Sequence, residues 1–435
     1  MATKFQNNLV MTEKMQLTIH RGTHEIGSSC VELQTKTTRI LIDFGLPLTE
    51  EHPQKEIKKK SKEQLIKEKL LPDIKGLYEN PKFDGILISH AHQDHYGLLS
   101  FVHSNISIYM SKGTKELIEL SYLFNQTNCN LKNIKIIDAW KSFEIKDIKI
   151  TPYLVDHSGF DAIAFLIETE NKKIFYSGDF RGHGRKNIVF ETMIKNPIKD
   201  IDYLIMEGTM LSREGEPYKT EKDIENKLVE LLKSTGNLTF LACSSQNIDR
   251  LVSAYRACMR TNTLLVLDPY TAYILYMLKD IAKGVPQYDW GKNMRIFFIP
   301  NKYTDKVLNE KNMFKFKIAK ITKEEVFSLK NKMLVKDSYT MRNIFKNKRL
   351  LKDTSVIFSM WDGYLEDQKP FWDRNQVEII KLHASGHAYV EDLVKFTEAL
   401  KPKNIIPIHT ENADKFQDYF KSNIIQLKDG QKFEL

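Results

Sequence analysis

The segment Ile86-Leu-Ile-Ser-His90-Ala-His92-Gln-Asp94-His95-Tyr-Gly97 places three imidazoles and a carboxylate within six residues, directly after an apolar run. In an extended chain His90 and His92 point the same way, because side chains repeat every second residue. Asp94 and His95 follow at a turn, where neighbouring positions can serve a second set of ligands. Imidazole and carboxylate together suit zinc or a similar borderline divalent ion, and the chemistry of such a site is metal-assisted hydrolysis. A lone histidine is usually a satisfied surface or core residue, but four ligand types packed behind one apolar strand point to a metal site.

This His-x-His-x-Asp-His run resembles the signature of metallo-β-lactamase-fold hydrolases. Three more residues match that family's pattern: His157 in Val-Asp-His157-Ser, Asp179 in Tyr-Ser-Gly178-Asp179, and His409 at the end of Asn404-Ile-Ile-Pro-Ile-His409. Each would close a strand at its carboxyl end, so that one rim gathers them. The resemblance implies two zinc ions per chain, one on His90, His92, His157 and Asp179, the other on Asp94, His95, Asp179 and His409, with Asp179 bridging. Asp43, after the strand Arg39–Ile42, matches the family's first motif and is expected to order the site from behind the ligands.

The fold alone names no substrate, but further motifs do. Leu382-His383-Ala-Ser385-Gly386-His387-Ala388 followed by His409 resembles the paired histidine motifs of β-CASP nucleases, most nearly ribonuclease J-like ones, whose acidic motif would be Glu207 in Leu-Ile-Met-Glu207-Gly-Thr209. Arg21-Gly-Thr-His-Glu25-Ile-Gly27, Ser244-Ser245-Gln-Asn247-Ile-Asp-Arg250 and Ser359-Met-Trp361-Asp-Gly363-Tyr364 also match, so the resemblance spans nearly the whole chain. It implies a zinc-dependent ribonuclease in which a metal-bridged hydroxide attacks phosphorus, leaving 5′-phosphate and 3′-hydroxyl ends in a 5′→3′ exonuclease or endonuclease mode. Asp94, His387 and Glu207 would be catalytic, His387 protonating the leaving oxygen and Glu207 orienting it. RNA is the expected partner, with DNA open.

Small residues at Ser385, Gly386 and Ala388 would let hydroxyl and backbone N–H groups approach a phosphate, although a tight turn reads the same way. His383 reads as structural. Ser244, Ser245 and Asn247 lie between a strand end and a helix, where free N–H groups form an anion site. They also make an ordinary helix cap. In ribonuclease J-like enzymes a comparable turn receives the 5′-terminal phosphate, and the same role is expected here.

These side chains need a scaffold. Short apolar runs rich in β-branched residues recur through the first 210 residues, among them Ile148–Val155, Ala162–Glu168, Lys173–Ser177 and Tyr203–Glu207, and read as strands. From Tyr218 helices alternate with strands, as in Glu221–Ser234, Leu238–Ala242, Gln246–Thr261 and Thr263–Leu267, which is a βαβ grammar. Near the end the order is Val377–His383, the helical Val390–Leu400, and Asn404–His409. The fold class is α/β: a metallo-β-lactamase αββα sandwich over 1–211 and 377–435, carrying an inserted α/β β-CASP domain over 212–376. Twenty-six residues follow His409, so the separate C-terminal domain of typical ribonuclease J enzymes is expected to be absent, and a homodimer is left open.

Composition sets outer bounds. Among 435 residues, 65 Lys and Arg exceed 56 Asp and Glu for a net charge of +9, and 42% hydrophobic content excludes disorder throughout. From Lys311 to Lys352 thirteen basic residues face three acids, so this one stretch carries +10 and the rest of the chain is close to neutral or acidic. It interleaves Phe314, Phe316, Phe327, Tyr339 and Phe345, which suits phosphate contacts with base stacking as well as it suits a solvated helix over core aromatics. The run Lys55–Lys69 reads as a solvated helical segment. Four cysteines without CxxC spacing fit a reducing compartment, with the cytoplasm as default. No stretch reads as a signal peptide or membrane span; the most apolar, Thr263–Leu278, is interrupted by Asp268 and Pro269. A thioester or lactone hydrolase would need neither the insert nor His387. A catalytically silent RNA-binding relative would have eroded ligands, and here every ligand position is filled.

Overall fold

A computed structural model describes residues 15–48, 57, 59–124, 131–213, 220–298, 313–347 and 350–435. Two seven-stranded sheets build the first domain. The spatial order of one is Lys432–Glu434, Gln16–Arg21, Cys30–Gln34, Arg39–Ile42, Gly85–Leu87, Ile108–Met110 and Ile134–Ile136. The other runs Asn423–Ile424, Asn404–Ile408, Tyr203–Glu207, Lys173–Tyr176, Ile163–Glu168, Ile148–Leu154 and Phe143–Ile145. Each sheet passes from antiparallel pairing at one side to parallel pairing at the other. In parallel strands the carboxyl ends line up along one edge, which is where open α/β sheets place their ligands.

The sheets meet face to face through alternating residues such as Leu17, Ile19, Ile40 and Ile42 from one and Ile150, Phe165, Ile167 and Ile406 from the other. Helices Asn187–Lys195 and Val390–Leu400 cover the outer face of the second sheet through Phe190, Met193, Leu393 and Phe396. Helix Lys112–Phe124 packs on the outer side of the first through Leu117 and Ile118. These layers make the expected αββα sandwich. The short strands Ile134–Ile136 and Phe143–Ile145 and the helix Lys112–Phe124 are additions to the elements read from sequence.

The inserted domain centres on a third, six-stranded sheet in which every pairing is parallel, ordered Met294–Ile296, Leu264–Leu267, Met333–Lys336, Thr239–Ala242, Ser355–Phe358 and Glu378–Lys381. Its central strands are buried along their whole length, as expected of parallel strands covered on both faces. The expected boundary at 377 is corrected here. Glu378–Lys381 pairs with Ser355–Phe358 as an edge of this sheet, and Leu382 still donates its N–H to the Phe358 carbonyl, so the chain returns to the first domain only after Leu382. A β-branched edge strand gives no sequence sign of which sheet it will join.

Helix Ile248–Thr261 starts at Asn247, whose side chain accepts from the Arg250 N–H, and ends at Asn262 in the left-handed conformation. Its apolar stripe Ile248, Leu251, Val252, Tyr255 and Cys258 is buried as the spacing predicts. Two fully buried arginines join the modules. Arg181 reaches Asp249 at 2.5 Å and the Ser385 carbonyl at 2.8 Å; Arg250 reaches Glu221 at 3.0 Å and the Ser359 carbonyl at 2.9 Å within the insert and the Ala384 carbonyl at 3.3 Å beyond it.

The basic stretch is mostly ordinary core and surface. Phe316 and Phe345 are fully buried and Phe327 packs at 6.5 Å from Phe345, whereas Phe314 and Tyr339 are exposed. Arg342 pairs with Asp337. Lys311, Lys348 and Arg349, like Lys55, Lys58 and Cys129, lie outside the described residues. Among the described residues no helix is long and apolar enough to cross a membrane. Phe345→Ala is expected to cost about 3–5 kcal/mol of stability through the cavity it opens. Tyr339→Ala, at a position 80% exposed, should stay within about 0.5 kcal/mol; urea denaturation of both variants checks the contrast.

Candidate metal centre

The turn after strand Gly85–Leu87 is held from outside. Backbone N–H groups of Ser29, Phe44 and Leu46 donate to the carbonyls of Asp94, His95 and Gln93 at 3.1, 2.7 and 2.9 Å. Gly45 makes this approach possible, since a Cβ there would lie 1.7 Å from the Asp94 carbonyl oxygen. Beneath the turn sits Asp43, fully buried and in the left-handed region at φ 57°. Its Oδ1 accepts from the Ser89 N–H at 2.7 Å, while Oδ2 accepts from the Ser89 hydroxyl at 2.7 Å, the Tyr176 hydroxyl at 2.7 Å and His95 Nδ1 at 2.8 Å. With Nδ1 held, His95 presents Nε2 to the cluster.

Asp179 lies at the centre. Its Oδ2 is 3.0 Å from His95 Nε2, 3.6 Å from His409 Nε2, 3.7 Å from His90 Nε2 and 3.9 Å from His157 Nε2. Asp94 Oδ2 lies 3.3 Å from His409 Nε2, and His92 Nδ1 lies 3.1 Å from His157 Nε2. The donor atoms of His90, His92, His157 and Asp179 fall within 4.8 Å of one another, as do those of Asp94, His95 and His409. His383 belongs to none of the three donor groups, the third being Asp179, Glu207, His387 and His409.

A divalent cation fits this arrangement. The Nε2 atoms of His90 and His95 and Oδ2 of Asp179 are buried without a hydrogen-bond partner, and leaving such atoms unpaired costs about 1–3 kcal/mol each. The opposite ring nitrogens are engaged, as in metal-ligating histidines generally: His90 Nδ1 with Ser89 Oγ at 3.0 Å, His157 Nδ1 with the Gly386 carbonyl at 2.6 Å, His409 Nδ1 with Thr209 Oγ1 at 2.8 Å. The His409 backbone is itself left-handed, at φ 54°, and is held there by its N–H to the Gly22 carbonyl at 2.7 Å. Such strain persists where the surroundings over-determine it.

Charge follows the same logic. Burial drives His90 and His157 far below the usual histidine range and His92 down to about 4, which keeps them neutral and able to ligate. Burial acts likewise on His95 and His409, but neighbouring carboxylates together outweigh it and raise both: Asp179 with Asp43 at His95, and Asp179 with Asp94 at His409. Burial would push Asp94 and Asp179 up; the surrounding imidazoles instead hold both well below the usual carboxylate range.

At the rim, His387 Nδ1 lies 2.9 Å from Glu207 Oε2 and 3.8 Å from Asp179 Oδ2, while Glu207 Oε1 accepts from the Phe180 N–H at 2.8 Å. The Ser385 hydroxyl accepts from the His387 N–H at 3.0 Å, its carbonyl takes Arg181 and His183, and Ala388 is fully buried. Those two side chains shape the turn that aims His387. Beside His92 opens a cavity of about 270 Å³ lined by His92, Gln93, Tyr96, Ser121, Ser244 and Tyr270. Ser244 is exposed there. Ser245 also borders it but pairs with Thr271 Oγ1 at 2.8 Å, and Asn247 caps the helix.

Several supporting residues escaped the sequence reading. Thr209 and Ser89 fix candidate ligands, Tyr176 fixes Asp43 and Arg181 fixes the His387 turn, yet a hydroxyl or an arginine next to a motif usually reads as solvated surface. The weak signal was position, since all four lie within a few residues of a strand end that carries a ligand or Glu207.

Residues 38–237 match the profile described as a beta-lactamase superfamily domain, and residues 375–427 match one described as a Zn-dependent metallo-hydrolase RNA specificity domain. An RNase J-like protein of Methanocaldococcus jannaschii is 25% identical, covering 91% of this chain and 92% of that protein. Ribonuclease J of Mycoplasma genitalium is 22% identical over 90% of this chain and 67% of its own length. A solved protein of unknown function from Enterococcus faecalis V583 superposes with a TM-score of 0.79 at 22% identity, covering 97% of this chain and 100% of that one, and so shares the fold. Matches in both segments of the first domain, together with relatives aligned across the insert, agree with the donor geometry: the chain is similar to ribonuclease J-like proteins over most of its length, is built on a metallo-β-lactamase-type domain, and is a metal-dependent hydrolase.

Proposed function

We propose that this chain is a zinc-dependent ribonuclease that hydrolyses RNA phosphodiester bonds, leaves 5′-phosphate and 3′-hydroxyl ends, and acts as a 5′→3′ exonuclease, an endonuclease or both. The observation that carries this reading is the His387–Glu207 pair, 2.9 Å apart beside the His/Asp cluster. A hydrolase of small activated esters has no use for an added proton donor, whereas the alkoxide leaving from a phosphodiester needs one.

His90, His92, His157 and Asp179 would hold one zinc and Asp94, His95, Asp179 and His409 a second. Bound zinc supplies a water nucleophile available near neutrality and positive charge for the phosphoryl oxygens. The remaining work falls to side chains. Glu207, anchored by the Phe180 N–H, fixes the His387 ring through Nδ1 and so leaves Nε2 to carry the proton toward the departing 3′-oxygen. Exposed Ser244 and the amino end of helix Ile248–Thr261, at the cavity beside His92, would receive a 5′-terminal phosphate. That placement favours substrates with 5′-monophosphate ends.

His387→Ala should lower kcat on end-labelled RNA by about 10²–10⁴-fold while zinc content is retained, and Asp94→Ala should lose activity together with metal. Product-end mapping and polarity on the same RNA test the cleavage mode. If the zinc-loaded protein leaves RNA intact and cleaves DNA or a small thioester instead, the proposal fails. Ser244→Ala should narrow the preference for 5′-monophosphate over 5′-triphosphate and circular RNA; equal wild-type rates on all three would remove the 5′-end assignment. Because His95 and His409 hold protons above the usual histidine value of 6.5 without metal, zinc must displace them. Zinc affinity is therefore expected to rise with pH through and above that value, with proton release seen by calorimetry in buffers of different ionisation enthalpy.

A further inference from the structure

The loop Ser359-Met-Trp361-Asp-Gly363-Tyr364 takes no part in the cluster, yet it stands beside it. It leaves the carboxyl end of strand Ser355–Phe358, and its base is tied to the His387 loop: Ser359 Oγ donates to the Leu382 carbonyl, and Arg250 donates to the Ser359 and Ala384 carbonyls at 2.9 and 3.3 Å. Where the first domain passes into the insert, Arg213 follows the turn Thr209–Ser212, whose Thr209 hydroxyl holds His409. The Arg213 guanidinium lies over the Trp361 ring, 4.6 Å from its centroid. Trp361 and Tyr364 meet edge to face with centroids 5.7 Å apart.

Both rings are open to solvent, Trp361 at 44% and Tyr364 at 52%. Partial burial and the Asp94 carboxylate raise the Tyr364 phenol while Arg213 lowers it, so the loop and the metal cluster share one electrostatic neighbourhood. The geometry is also specific to glycine at 363, where a Cβ would lie 2.3 Å from the Trp361 ring. Two adjoining exposed aromatic rings are an unfavourable surface unless something covers them. With a guanidinium over one face of the indole, the cover that matches the remaining ring surface in shape and charge is a base attached to a phosphate.

We propose that Trp361, Tyr364 and Arg213 form a shelf that stacks one nucleobase of single-stranded RNA next to the scissile phosphate. This deepens the ribonuclease reading and rests on it. Stacking of a base on an aromatic side chain changes affinity by about five- to a hundred-fold, and it tolerates any base because every base presents a π-face.

The test pairs cleavage with binding. Oligoribonucleotides carrying 2-aminopurine at the positions flanking the cleavage site are bound to chelator-treated protein, and matched RNAs, intact or abasic at those positions, are cleaved by zinc-loaded protein. Trp361→Ala and Tyr364→Ala should raise KM about five- to a hundred-fold with a much smaller effect on kcat, and should abolish the 2-aminopurine quenching. Gly363→Ala, which displaces the indole without removing it, should act in the same direction. Trp361→Phe and Tyr364→Phe keep a ring and should keep most of the affinity, which separates stacking from misfolding. An abasic flank should cost wild type the factor that Trp361→Ala costs, and cost that variant nothing more. Unchanged KM in the alanine variants, or an abasic penalty that persists in them, overturns the shelf and leaves the ribonuclease reading standing. Quenching without cleavage by wild type keeps the shelf and overturns that reading; neither quenching nor cleavage removes both.

Discussion

A carboxylate buried among imidazoles is the constraint on which the rest of this structure depends. Asp179 Oδ2 has four histidine Nε2 atoms within 4 Å and no hydrogen bond of its own. Isolated, a buried charge of this kind is among the most expensive features a fold can hold. Here each surrounding ring is pinned from its far side, by Asp43, Ser89, Thr209 or the Gly386 carbonyl, so the rings cannot turn away to relieve the crowding. The sandwich thereby keeps a set of lone pairs aimed inward, which is the condition a cation-binding site requires.

The inserted domain is tied into this arrangement through charge as well as packing. Arg181 comes two residues after Asp179, and its guanidinium binds Asp249 on the first turn of helix Ile248–Thr261 together with the Ser385 carbonyl. Asp156, beside His157, faces the same arginine at 3.4 Å. Arg250, the next residue of that helix, joins Glu221 to the Ser359 and Ala384 carbonyls. Buried ion pairs of this type add little net stability but are costly to break on one side. Their consequence here is positional: the loops bearing Asp179, His157 and His387 share partners with the insert, so the reactive rim is assembled by both domains.

Much of this was legible in the residues. The alternation in Ile148–Leu154, the three-and-four spacing in Ile248–Thr261 and the strand-end positions of His90, Asp179 and His409 follow from local periodicity, and the folded chain has these elements with ends shifted by one to three residues. Less legible was the allocation of elements. Glu378–Lys381 looked like the start of the returning sandwich and is the edge of the inserted sheet, because pairing partners are chosen over long sequence distances. The basic segment read equally well as an RNA surface or a solvated face over core. Packing separated its aromatics, burying Phe316 and Phe345 and exposing Phe314 and Tyr339.

By itself the sequence determined the types and order of the candidate metal-binding residues, the α/β grammar and the family resemblance, because ligand chemistry and strand periodicity are written in adjacent residues. Only the tertiary structure decided which nitrogen of each histidine faces the centre, that Ser385 and Ala388 shape a turn while Ser244 opens on a cavity, and that Trp361, Tyr364 and Arg213 meet at the rim. Those outcomes depend on hydrogen bonds and packing between segments separated by tens to hundreds of residues, and no local pattern encodes a contact whose two halves are that far apart.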